Sequence, residues 1–452
     1  MMVEPRKNIF EAVINQDLCI GCGACLYSAS KSDLKMSWNQ EGFLIPISDT
    51  KNSISEMSLK VCPFNPFPEN EVKTENEIAD IFLKDSPNRH QRVGNYYNTY
   101  VGYSHKYRLT SSSGGMATYL IDKLLDNNIV DAVIAVKEGE NSFYEYSIVR
   151  LNNDLLSYSE TKYYPVSLGT VMEYLKNSDE RFAVVGVACF IKSVRLLQYY
   201  HPKLKERIIF TIGIICGGVK SRFFAEYLAG KSGVDSNQFS KPKFRIKDHS
   251  STASDYSFGC NDANDELHTI KMSKVGDIWG SGMFKNNACD FCDDVTTELA
   301  DISLGDAWLN PYNQDGKGTN VVVTRSQLAE DLIHKGITNN ELSIEYLPFD
   351  EFLSSQQGSF NHRHKGLKYR IKNVSQEGVI IPPKRHGNER ISLDFKLVQK
   401  QRRVVRKLSL IEWIRLSNSD KFDDSMSVSR ETLMKRTKIY HYGRAIKRKL
   451  KL

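Results

Sequence analysis

Short apolar runs rich in β-branched residues alternate along the chain with stretches whose apolar positions recur every three to four residues. The runs "IVDAVIAV" (129–136), "RFAVVGVACF" (181–190), "RIIFTIGIICG" (207–217) and "TNVVVT" (319–324) are of the first kind. Continuous apolar runs this short, several with Gly at an end, predict strands of a buried sheet. "MATYLIDKLLDNN" (116–128) and "SLGTVMEYLKNS" (167–178) carry helical spacing. Their alternation over 99–359 predicts an α/β domain in which helices cover a mainly central sheet.

Different textures flank this region. Residues 1–72 are punctuated by Cys and Pro and end at "VCPFNPFPEN"; a polar connector, 73–98, contains "KDSPNRHQR". From 360 to 452 the chain is basic, and "KLVQKQRRVVRKLSLIEWIRL" reads as helix. The chain has 452 residues, 25% charged and 40% hydrophobic, which suits a globular protein of two or three domains. The N-terminus has no apolar run of signal-peptide length. The longest apolar stretch, "IIFTIGIICGGV" (208–219), is far short of the roughly 20 residues of a spanning helix. A cytoplasmic protein is expected.

The net charge of +7 conceals an asymmetry. Residues 360–452 hold 25 Lys and Arg against 8 Asp and Glu, and the remainder holds 36 against 46. A basic tail on an acidic body points to an anionic partner: an acidic protein, or an anionic membrane surface that would hold the protein at the inner membrane face. Nucleic acid is disfavoured, because no nucleic-acid motif accompanies the charge. The tail is expected to be separable at about residue 395, since no cysteine follows Cys292.

Nine cysteines are many for a cytosolic chain, and an odd number clustered in tight runs argues for metal ligation over disulfides. In "DLCIGCGACLYSAS" (17–30), Cys19, Cys22 and Cys25 have the spacing of iron–sulfur ligands. The fourth cysteine of a two-cluster ferredoxin run is replaced by Ala29, followed by Ser30; Cys62, followed by Pro63, supplies a fourth thiolate instead. Gly21 and Gly23 are expected to let the loop wrap closely round a cluster. Zinc sites usually pair two short hairpins, so a trio with a lone later Cys-Pro fits one 4Fe–4S cluster better. A further set comprises Cys189, Cys216, Cys289 and Cys292. "ACDFC" is a two-ligand hairpin, while Cys189 and Cys216 end predicted strands and are equally readable as buried small hydrophobes. Cys260 has no partner pattern and is expected to be a free thiol.

"RLTSSSGGMATYLIDKLL" (108–125) places Ser111, Ser112, Ser113, Gly114 and Gly115 before a helix whose first turn includes Thr118. Backbone N–H groups there could cradle a phosphate, with the glycines leaving room for its approach; a plain helix cap with a glycine turn is the alternative.

Taken in order, "CIGCGAC…CP", "SSSGG", "VVGVACFIKSVRLL", "IGIICGG" and "CDFCDDVTTELADISLGDAW" resemble the family of beta subunits of coenzyme F-420-reducing hydrogenases and dehydrogenases. That family also includes 7-hydroxymethyl chlorophyll a reductase and formate dehydrogenase beta subunits. The resemblance spans about residues 10–330. It implies a small ferredoxin-like iron–sulfur domain followed by a flavin-binding α/β domain, with FAD and two 4Fe–4S clusters. Cys189, Cys216, Cys289 and Cys292 match the ligands of a second cluster. Lys162 and Tyr163, and Gly305 and Asp306, match segments near the flavin, although the latter pair also reads as a turn. Where the family has "VGTPCQ", this chain has Val187, Ala188 and Phe190 around Cys189, so polar contacts are lost there. The implied activity is a flavin- and iron–sulfur-dependent oxidoreductase whose donor is a reduced deazaflavin, a nicotinamide or a ferredoxin. The other reading is a non-catalytic electron-transfer or scaffold partner of a polysaccharide-modifying enzyme, since related sequences occur among bacterial surface-polysaccharide genes. No catalytic acid or base stands out.

Overall fold

The computed structural model describes residues 8–29, 34–49, 55–140, 142–387 and 389–449; Ser30 lies outside them. Eight strands form its main sheet: β1 (Thr99–Ser104), β2 (Ala132–Glu138), β3 (Tyr144–Val149), β4 (Phe182–Val187), β5 (Ile208–Ile214), β6 (Ile302–Asp306), β7 (Asn320–Thr324) and β8 (Leu342–Tyr346). Their spatial order is β8-β1-β7-β6-β5-β4-β2-β3. The central strands β2, β4, β5 and β6 run parallel, and the flanking pairs are antiparallel. The sequence-predicted strands and the mixed α/β class are therefore present.

Alternation along β2 shows how the sheet divides two cores. Val133 and Ala135 pack with α1 (Met116–Asp126) and helix Gln327–Thr338. Ala132 and Ile134 face α2 (Gly169–Asn177) and α3 (Ala188–Tyr200). Burial on both faces is what an unbroken apolar strand sequence requires. The second of these cores also contains Val13, Leu18, Ile20, Leu59, Val61, Phe64 and Ile78. The N-terminal cysteine segment thus shares its interior with α2 and α3. Its helix Glu75–Phe82 starts where it does because Thr74 and Glu77 form a capping box.

The C-terminal region is helical, as expected, but the expectation of a separable tail is corrected. Helices α4 (Leu393–Leu416) and α5 (Ser419–Lys449) enclose Phe395, Val405, Leu410, Trp413, Phe422 and Met426, all buried. Trp413 is 1% exposed and meets Tyr227, Phe284 and Phe422 edge-on, and its indole N–H donates to Glu226 at 2.8 Å. Part of the basic excess faces inward as well: Lys384 pairs with Asp293 at 3.2 Å, Arg385 with Glu298 at 2.6 Å, and Arg406 with Asp290 at 3.6 Å. The charge asymmetry is thus partly an internal neutralisation. Trp413→Ala is expected to cost about 3–5 kcal/mol in urea unfolding of the full chain, and truncation at residue 395 to abolish the folded state.

Candidate functional site

The register of two parallel strands brings the second cysteine set together. Val187 of β4 pairs with Ile214 of β5, and each chain reaches a cysteine two residues later. Cys189 does not end the strand, as expected, but sits in the first turn of α3; Cys216 lies in the loop after β5. Cys289 lies in the turn Asn287–Phe291, which Asn286 starts by accepting the Ala288 N–H at 2.8 Å, and Cys292 follows directly. The Gly218 N–H donates to the Cys216 sulfur at 3.2 Å, and the Val219 N–H to the Cys289 sulfur at 3.3 Å. Ionisation of Cys189 is opposed electrostatically by Cys292, Cys289 and Cys216, so the four thiols share one neighbourhood.

The first set is assembled likewise. Gly23 has φ +79°, and a Cβ there would lie 2.6 Å from the Gly169 nitrogen. The glycine therefore lets the loop press on the start of α2, where the Leu168 N–H reaches the Cys22 carbonyl at 2.9 Å. Ser58 donates to the Cys25 carbonyl at 3.0 Å, fixing the helix that delivers Cys62. Ionisation of Cys25 is opposed by Cys22, Cys19 and Cys62. All four predicted members are brought together.

The two sets share a wall. Cys189 is within electrostatic reach of Cys22, and the Tyr146 hydroxyl feels both while donating to the Val185 carbonyl at 3.0 Å. Asn286 and Asn287 donate to the Cys19 and Asp17 carbonyls, each at 3.0 Å, binding the second loop to the first. Burial pushes the Cys19 and Cys289 thiols up to about 12, and raises Cys22, Cys25, Cys62, Cys189 and Cys292 as well. Burial therefore holds these thiols in the protonated form, and a bound metal would favour the thiolate. Among the described residues, no three of these sulfurs gather within 4.8 Å of one another. Cys260 stands apart, buried beside Ser232.

Segments far apart in sequence meet beside the second set. Ser112 accepts the Thr161 N–H at 2.8 Å, and Thr118 bonds Ser159 at 2.9 Å, tying the serine loop to Lys162 and Tyr163. Asn320 accepts the Met116 N–H at 3.3 Å and donates to the Gly305 carbonyl at 3.0 Å. Arg245 pairs with Asp306 at 2.7 Å, stacks over Tyr256, and lies beside Tyr163. Tyr163 meets Trp279 with ring centroids 4.6 Å apart, and Trp279 lies against Gly217, next to Cys216. Lys247 donates to the Ser113 and Lys317 carbonyls at 3.2 and 2.7 Å and lines an open recess of about 400 Å³. Burial pulls Lys162 and Lys247 down to about 8.

The result is a cluster of aromatic and cationic groups, Tyr163, Trp279, Arg245 and Lys162 among them, next to the recess that Lys247 lines. Asn320, Arg245, Lys247 and Trp279 were not legible as site residues, because no local motif surrounds them. Asn286, immediately ahead of "NACDFC", carried a local signal as a capping residue. The serine hydroxyls are largely engaged within the protein: Ser113, for example, donates to the Thr319 carbonyl at 3.1 Å. A second reason for the glycine is visible at Gly115: it has φ +80°, and a Cβ there would lie 2.5 Å from the Tyr107 carbonyl carbon, so packing within the protein already demands glycine.

The fold and site thus define an α/β protein carrying two adjoining, partly buried four-cysteine constellations beside a cluster of cationic and aromatic groups. Two family profiles match, both describing the beta subunit of coenzyme F420 hydrogenase/dehydrogenase: the one for its N-terminal part over residues 99–173, and the one for its C-terminal part over 179–348. The chain belongs to the family of coenzyme F420 hydrogenase/dehydrogenase beta subunits. It is 27% identical over 247 residues to a coenzyme F420-dependent sulfite reductase of Methanocaldococcus jannaschii, covering 52% of this chain but only 36% of that relative. It is 27% identical over 201 residues to the beta subunit of F420-dependent formate dehydrogenase 1 of Methanococcus maripaludis, covering 42% of this chain and 47% of that one. The chain thus spans about half or less of the length of these two relatives. A chain of the F420-reducing [NiFe] hydrogenase complex from Methanosarcina barkeri aligns with TM-score 0.48 and 17% identity, over 64% of this chain and 94% of that one. Gly115→Val is expected to leave little folded protein in a thermal-melt and solubility assay, since left-handed backbone alone costs a β-substituted residue about 1–2 kcal/mol.

Proposed function

We propose that this chain is an iron–sulfur flavoprotein that passes electrons between a reduced coenzyme or ferredoxin and a further acceptor. The observation that carries this reading is the pair of four-thiol sets with a common wall at the rim of the parallel strands. Strand carboxyl ends are where α/β sheets bind ligands. Cys19, Cys22, Cys25 and Cys62 would hold one 4Fe–4S cluster, and Cys189, Cys216, Cys289 and Cys292 another. A flavin beside the aromatic and cationic groups would exchange two electrons with a coenzyme and single electrons with clusters. The chain's own part is positional. Tyr163 and Trp279 offer aromatic walls, Lys162 and Lys247 offer positive charge for phosphates, and backbone N–H groups of the Ser111–Gly115 loop complete the cradle. The donor class is a reduced deazaflavin, a nicotinamide or a ferredoxin. A carrier or scaffold role alone would be marked by clusters without flavin.

Anaerobically reconstituted protein is expected to contain two cubanes' worth of iron and to show flavin absorbance. Cys62→Ala and Cys292→Ala should each remove about half the iron, with EPR signals lost separately. Lys162→Ala should weaken flavin retention about tenfold, the worth of one charge-assisted hydrogen bond. Zinc in place of iron in the native protein, or iron unchanged in both cysteine variants, would overturn the assignment.

The outer face of the C-terminal helices supports a proposal about location. Along α4, Leu397, Val404 and Ile411 recur every seven residues and are exposed, with Lys400 and Lys407 exposed between them. On α5, Ile439, Tyr442 and Ile446 are exposed next to Lys435 and Lys438. Among the described residues no helix is long and apolar enough to cross a membrane. Apolar side chains interleaved with lysines fit an anionic bilayer surface, where each cation contributes on the order of 1 kcal/mol. Co-sedimentation with phosphatidylserine vesicles is expected at low salt and should be lost in the Val404→Glu/Ile411→Glu double variant. Equal binding to neutral phosphatidylcholine vesicles would refute an electrostatic association.

A further inference from the structure

The family matches reach no further than residue 348, yet a side chain beyond that point enters the second thiol set. Arg363 lies in the helical turn Asn361–Lys365, and its residue is 5% exposed. Its Nη1 donates to the Cys292 sulfur at 3.5 Å and to the Asp294 carbonyl at 2.5 Å, while its Nη2 donates to the Cys216 carbonyl. One guanidinium therefore bridges the two loops that carry Cys216 and Cys292. Among the described residues, its partners are two carbonyl oxygens and a sulfur, and no carboxylate forms an ion pair with it.

The first set offers a contrast. The buried lysine of α3 beneath that set, Lys192, is already paired with Glu75 at 3.0 Å. A buried guanidinium cannot relieve its cost by losing its proton, and a buried charge without a counter-charge is costly. Four thiolates carrying a cluster would supply the missing negative charge.

Resting on the iron–sulfur reading above, we propose that Arg363 is a positioning residue of the second cluster, bracing its ligand loops and raising its reduction potential. Reduction adds one electron to the cluster and neither makes nor breaks a covalent bond. A fixed cation at hydrogen-bond range to a ligand sulfur favours the more negative, reduced form, since potentials follow net charge and hydrogen bonds to sulfur.

The test is a potentiometric EPR titration of the full-length, anaerobically reconstituted protein with dithionite as reductant, comparing wild type, Arg363→Gln and Arg363→Lys. The expected result for Arg363→Gln is a shift of at least tenfold against reduction, 59 mV for a one-electron couple. It should affect only the signal that Cys292→Ala abolishes. Arg363→Lys, which keeps the charge, should restore most of the potential. If Arg363→Gln instead loses that cluster's iron while Arg363→Lys retains it, the role of the charge is also supported. Unchanged potentials in Arg363→Gln, or loss of the cluster in both variants, would overturn the proposal. Absence of any signal assignable to Cys292 in the wild type would instead overturn the two-cluster reading on which it rests.

Discussion

The structure depends on the neutralisation of carboxylates buried beside the second thiol set. Asp290, Asp293, Asp294 and Glu298 are each at most 3% exposed, all within the segment that follows Cys289. Their cationic partners are drawn from other parts of the chain. Lys285 and Arg406 approach Asp290, Lys384 pairs with Asp293, and Arg385 grips Glu298 with two hydrogen bonds. Asp294 is served by the Glu298 N–H, and burial still pushes it up to about 6. Leaving one such charge unpaired typically costs about 3–5 kcal/mol. That constraint makes the basic C-terminal region a structural part of the thiol site.

The same network reaches the N-terminal segment. Glu75, in the helix that follows Cys62, pairs with Lys192 of α3 and also approaches Arg385 at 3.4 Å. Three stretches of different composition thus meet at one buried junction, and the apolar core beneath α2 and α3 is likewise shared. Asn286 and Asn287 add direct hydrogen bonds between the two cysteine loops. The thiol sets are held at fixed relative positions by the whole chain. Two redox centres held by these sets, as proposed, would therefore keep a constant separation.

The aromatic and cationic cluster follows another logic. Its aromatic and cationic groups are half-buried, and its loop is held by internal hydrogen bonds through Ser112, Thr118 and Asn320. A site organised in this way meets a ligand with its backbone conformation already set, which reduces the ordering cost of binding. Trp279 connects it to the thiol region by lying against the loop of Cys216.

Local spacing along the chain was enough to read the parts whose physics is local. The buried strands β2, β4, β5 and β7 and the helices α1 and α2 followed from apolar periodicity, and the set Cys19, Cys22, Cys25 and Cys62 from ligand spacing. The membership of Cys189 and Cys216 was not decidable from their own surroundings, because it depends on the pairing of Val187 with Ile214 between strands. Gly115 and Gly23 were read as making room for ligands; a side chain there would first meet the protein itself, the Tyr107 backbone in one case and the Ser167 hydroxyl and Gly169 backbone in the other. The tail shows the division most clearly. Its composition by itself determined that it is basic and helical; only the tertiary structure decided that Arg363, Lys384, Arg385 and Arg406 turn inward. A side chain's charge is a property of one residue, but the direction it takes depends on where the rest of the chain has buried the opposite charge.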